Sequence, residues 1–71
     1  MNGWKNYETW CVSLWILNFD FYNNLAKRAK NYSQFLMLLG AKAQGENPDG
    51  VLWADVGLDI QALDKLIEEI A

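Results

Sequence analysis

A chain of 71 residues, 52% of them hydrophobic and with a formal net charge of −3, describes one small domain that needs a dense core. One cysteine and no histidine exclude an internal disulfide and the usual zinc, haem and Cys–His catalytic centres; no cofactor or metal is expected. The longest near-apolar run, Trp10 to Leu17, is eight residues against the roughly 20 that span a bilayer. The expectation is a soluble protein in a reducing cytoplasm, without membrane contact or a targeting segment.

Asn6 reads as an N-cap for a first helix over 7–18, its side-chain oxygen taking the orphan N–H of Glu8 or Thr9. Glu8 then sits in the first turn, where the helix dipole favours negative charge. Tyr7, Trp10, Leu14 and Leu17 recur at spacings of three, four and three, a single helical face that predicts the core side. Cys11 and Trp15 widen that face, Val12 and Ile16 lie round the other side, and Glu8, Thr9 and Ser13 form a narrow polar edge. A helix apolar nearly all round must be covered nearly all round, so this one is either the centre of the fold or part of an interface. Its interface candidates are Trp4, Tyr7, Glu8, Val12, Trp15 and Ile16, since Trp and Tyr dominate binding hot spots.

Asn18, Phe19 and Asp20 predict a tight corner, with Asn18 left-handed and Asp20 capping a second helix over 20–31. Phe21, Leu25, Ala29 and Tyr32 would face inward. Lys27, Arg28 and Lys30 gather toward the helix C-terminus, which suits the dipole. Ser33 would cap a third helix over 33–43. Within it Phe35 to Leu39 lacks β-branched residues and so favours helix over strand, and Gly40 marks close packing or the approach to the helix end.

Gly45 to Gly50 predicts a type I turn, with Pro48 at i+1, Asp49 at i+2 and Gly50 at i+3. Residues 51–57 read as an extended or single-turn connector with Val51, Leu52, Trp53 and Val56 partly buried. Asp59 caps a last helix over 59–70, striped by Ile60, Leu63, Leu66, Ile67 and Ile70, with Gln61, Asp64, Lys65, Glu68 and Glu69 toward water. The fold class is therefore all-α: a single domain, residues 1–71, of three to four helices.

Charge is unevenly placed. Residues 1–39 hold four basic groups and two acidic ones, a balance of +2; residues 40–71 hold two basic and seven acidic, a balance of −5. An acidic surface of Asp49, Asp55, Asp59, Asp64, Glu68 and Glu69 is a candidate phosphate mimic, and a basic surface of Lys27, Arg28 and Lys30, with Tyr22 and Tyr32 to stack, is a candidate nucleic-acid site. Ordinary solubilising charge explains both sets more simply, and an acidic chain is a poor phosphate binder. No Gly-rich phosphate loop, nucleophile elbow or pocketed carboxylate is visible, Glu8 being the lone acid beside aromatics, so no catalytic residue is expected.

The stretch from Asn6 to Asn18, reading N-Y-E-T-W-C-V-S-L-W-I-L-N, followed by Tyr22, Leu25 and Ala26, the Pro48–Gly50 turn, and Leu58–Asp59 with Leu63–Asp64, resembles a family of small uncharacterised proteins of bacteriophages and of bacterial and archaeal mobile elements. Asn6–Trp10, Val12, Leu14, Trp15 and Asn18 carry its first and most specific block; Cys11 stands where the pattern has Asn. The resemblance implies a mobile-element origin and a prokaryotic host, with no established activity. The expectation is a non-enzymatic accessory protein that binds a host macromolecule, preferably a protein and less favourably nucleic acid, and modulates it. A homodimer that covers the first helix is a further possibility.

Overall fold

In the computed structural model, which describes residues 3–71, four helices and no strand make up the domain: α1 (Tyr7–Asn18), α2 (Asp20–Arg28), α3 (Tyr32–Leu39) and α4 (Ile60–Ile70). A 3₁₀ segment, Gly40–Gln44, prolongs α3, and a looped connector leads to α4. The all-α fold expected from the sequence is thus observed.

The helix ends follow from capping chemistry. The Asn6 side chain accepts the Thr9 N–H, Asn31 accepts from Gln34, and Asp59 accepts from Ala62, each the N-cap of its helix. The Gln34 side chain reaches back to accept the Lys30 N–H at 2.7 Å, so the start of α3 is held reciprocally. That cap explains why α3 begins at Tyr32 with Asn31 as its cap, not Ser33, and why α2 stops at Arg28 instead of continuing to residue 31: Ala29 and Asn31 are extended. The α1–α2 corner is also built differently from expectation. Asn18 stays helical and donates its side-chain N–H to the Leu14 carbonyl; Phe19 makes the turn in an extended conformation, and Asp20 lies inside the first turn of α2. Gly40, at φ +67°, ends α3; no atom lies near its missing side chain, so it serves the helix end and not close packing.

The core is shared by all four helices and the connector. Val12 and Ile16 of α1, Ala26 of α2, Tyr32 and Phe35 of α3, and Leu63 and Ile67 of α4 are essentially inaccessible, together with Trp53 and Leu58 of the connector. The Trp53 ring lies against Tyr22 and Phe35, with centroids 4.8 and 5.9 Å away, and its carbonyl accepts the Tyr32 hydroxyl at 2.5 Å. A buried phenol needs such a partner, because an unpaired hydroxyl in an apolar interior is destabilising by a few kcal/mol.

The buried side of α1 is the reverse of the expected one. Tyr7, Leu14 and Leu17, assigned to the core, are 45%, 36% and 45% exposed, and Trp10 is half-buried. Thr9 and Ser13, assigned to the polar edge, are fully buried with Val12 and Ile16. The physical reason is that both hydroxyls bring their own partners: Ser13 Oγ donates to the Trp10 carbonyl at 2.6 Å, and Thr9 is satisfied at the helix start. A small hydroxyl residue so paired packs as closely as Ala and lets α2 and α4 approach.

Three other placements differ. Phe21, expected inward, is 53% exposed, and Ala26 takes the buried place on α2. Val56, expected partly buried, is fully exposed; Leu52 is exposed, and Ile60 lies at the exposed border of α4. Asp64, expected to face water, is half-buried because Oδ1 accepts the Tyr32 N–H at 2.7 Å, setting an α4 carboxylate at the N-terminus of α3.

Candidate protein-docking site

The Asn-Tyr-Glu-Thr-Trp stretch performs two tasks on opposite sides of α1. On the inner side, Asn6 Oδ1 accepts from the Thr9 N–H (3.0 Å) and Thr9 Oγ1 (2.6 Å), while Asn6 Nδ2 donates to the Gly57 carbonyl (2.7 Å). Thr9 Oγ1 in turn accepts the Asp59 N–H at 3.0 Å. Asn6 and Thr9 thus fasten the start of α1 to the connector and to the cap of α4, 51 and 50 residues along the chain. This accounts structurally for two of the five motif residues.

Cys11 and Trp15 fasten the Pro-Asp-Gly turn. The turn closes through the Gly50 N–H to the Asn47 carbonyl (2.9 Å), as the i to i+3 pairing requires. Buried Asn47 accepts the Asp49 and Val51 N–H groups through Oδ1 and directs Nδ2 to the Cys11 sulfur at 3.5 Å. Asp49 Oδ2 accepts the Trp15 indole N–H at 2.8 Å and lies 3.6 Å from the Cys11 sulfur. Burial raises the Cys11 thiol pKa, and the neighbouring Tyr7 hydroxyl is raised chiefly through its contact with Cys11. Such a thiol is protonated and unreactive at neutral pH.

The outer side of α1 is a different kind of surface. Tyr7, Trp10, Leu14 and Leu17 lie within about 80° of arc at 100° per residue, and none is charged. They form an uninterrupted apolar stripe along the helix, rimmed by Asn18. Trp15 lies on the flank of this stripe, and Phe19 stacks on it with ring centroids 4.1 Å apart. Single exposed apolar residues are ordinary, whereas a contiguous stripe in so small a domain is a candidate interaction surface.

The residues singled out from the sequence divide accordingly. Tyr7 belongs to the stripe. Val12 and Ile16 do not, because this chain covers them completely. Glu8 is a half-buried first-turn residue, and Trp15 is half-buried and pinned to Asp49. Trp4 lines a separate open groove of about 300 Å³ against Ala62, Lys65, Leu66 and Glu69 of α4. Trp10, Leu14 and Leu17, the rest of the stripe, have the spacing of a core face, which is why the sequence does not mark them as contact candidates.

The charged surfaces look less like sites. Asp49, Asp55, Asp59 and Asp64 each accept an internal hydrogen bond, leaving Glu68 and Glu69 of the acidic set at the exposed end of α4. Lys27, Arg28 and Lys30 are exposed, but Tyr32 is buried and Tyr22 packs on Trp53, so neither presents a free ring for a base. Among the described residues no group of three or more Cys, Asp or Glu side chains is placed to hold a metal ion, and no helix is long and apolar enough to cross a membrane. No curated protein and no solved structure matches the chain. The match that does exist covers residues 1–71 in full: the chain belongs to a family of unknown function, DUF7249.

Proposed function

We propose that the protein is a non-catalytic binding module of the mobile-element accessory type, acting on a host protein by docking and not by chemistry. The observation that carries this reading is the outer stripe of α1: Tyr7, Trp10, Leu14 and Leu17, apolar, contiguous and, apart from half-buried Trp10, 36–45% exposed. Its aromatic content favours a protein partner, since phosphate recognition would need cations that the stripe lacks. The phage-like wording of the Asn6–Asn18 stretch supports a host target, and a host-cell cytoplasm as the place of action.

Paired affinity capture from a bacterial lysate tests the reading, with the wild-type protein and a Leu14→Glu variant as baits. Leu14 is 36% exposed, so the variant is first shown folded by circular dichroism. A protein retained stoichiometrically by the wild type and lost by Leu14→Glu is the expected result. Equal recovery by both baits, or none by either, overturns it.

A further inference from the structure

We propose that the outer stripe of α1 is occupied, in the free protein, by the same stripe of a second copy, packed antiparallel about a two-fold axis beside residue 12. This rests on the reading of the stripe as a docking surface and names its first partner. The spacing carries the inference. Tyr7 and Leu17 each lie five residues from position 12, and Trp10 and Leu14 each lie two. Antiparallel apposition therefore sets Tyr7 opposite Leu17 of the second copy and Trp10 opposite Leu14 of the second copy, twice over. Every pair joins an aromatic ring to a leucine, so large meets small at each level and the surface is complementary to itself. A parallel pairing would instead oppose Trp10 to Trp10 and Tyr7 to Tyr7.

Charge agrees with the antiparallel register. Exposed Lys5 precedes the stripe and exposed Asp20 follows it, seven and eight residues from position 12. Antiparallel packing brings Lys5 of one copy to the same end as Asp20 of the other, whereas parallel packing gathers like charges. The two helix dipoles also oppose each other favourably. Size sets the strength. The four side chains offer at most on the order of 400 Å² per copy, about 800 Å² in all, so the dimer belongs to the weak, transient class below the roughly 1,000 Å² of stable specific interfaces. Association is therefore weak and shows itself as a mass that depends on concentration. Phe19, stacked on Trp15 on the flank, and Phe21 stay outside the pairing.

Sedimentation equilibrium between about 5 and 500 μM reads the prediction directly. The wild-type mass should rise from 8.2 kDa toward twice that value, while Leu14→Glu, shown folded by circular dichroism, weakens association by at least about thirtyfold and stays at 8.2 kDa. Register is read in a Cys11→Ser background: a Tyr7→Cys chain mixed with a Leu17→Cys chain should oxidise to the mixed disulfide in preference to either like pair. A wild type that stays at 8.2 kDa throughout overturns the inference, as does preferential Tyr7→Cys self-pairing. If the wild type is monomeric yet Leu14→Glu still loses a captured host protein, the docking reading stands and only the second copy is excluded.

Discussion

Thr9 shows at the scale of one residue how a polar side chain becomes a core residue. Its hydroxyl donates to Asn6 and accepts from the Asp59 N–H, so removing it orphans a backbone donor in a covered place. Thr9→Val should therefore lower stability in urea denaturation by about 1–3 kcal/mol, while Thr9→Ser retains most of it. Glu8→Ala, on the neighbouring motif position, should change stability by less than about 0.5 kcal/mol. Tyr32 makes a second prediction through its proton. Burial raises its pKa above the ordinary tyrosine value, so the unfolded chain loses that proton first as pH rises. Stability from this group is full below about pH 10, where the unfolded phenol is still protonated, and falls as the pH climbs above it. Denaturation midpoints measured from pH 8 to 11.5 should decline at the alkaline end, and Tyr32→Phe should flatten that decline while lowering stability at neutral pH by about 1 kcal/mol.

The elements were legible where local chemistry decides them. Asn6 and Asp59 as caps, and Pro48 with Gly50 as a turn, follow from side-chain hydrogen bonding and backbone preference within a few residues. The end of α2 was less legible, because Asn31 and Gln34 together out-compete continued helix. Least legible was the orientation of α1. A helix with apolar residues on every side carries no directional signal, and the aromatic face that looks most like a core was the one left outside. What decides the matter lies far along the chain: the Asp59 N–H donates to the Thr9 hydroxyl, which holds the Thr9–Val12–Ser13–Ile16 side inward, and Asp49 accepts the Trp15 indole N–H on the flank. Gly40 tests the same level. Gly40→Ala meets no atom but must hold φ near +67°, so it should be destabilising by about 1 kcal/mol in thermal or urea unfolding.

At the scale of the molecule, α1 is both the centre of the domain and its outer wall. Ile67→Ala, in the part of α4 against which the core closes, should lower stability by about 2–5 kcal/mol. Leu17→Glu, on the outer stripe, should leave the unfolding of the monomer within about 0.5 kcal/mol of the wild type. The two substitutions thus separate the core that folds the chain from the proposed docking surface. The candidate docking residues are only half visible in the sequence for this reason: spacing reveals that Tyr7, Trp10, Leu14 and Leu17 share a face, but only packing reveals that the chain leaves it partly exposed.

The most direct measurement is the concentration dependence of backbone and indole resonances in ¹⁵N-labelled protein. The outer-stripe account predicts progressive shifts for Tyr7, Trp10, Leu14 and Leu17 between about 20 μM and 1 mM, with Leu63 and Ile67 unmoved. The same outer residues should shift again on addition of a captured target. Shifts confined to α4 or to the basic end of α2, with the outer residues of α1 unchanged, would contradict it.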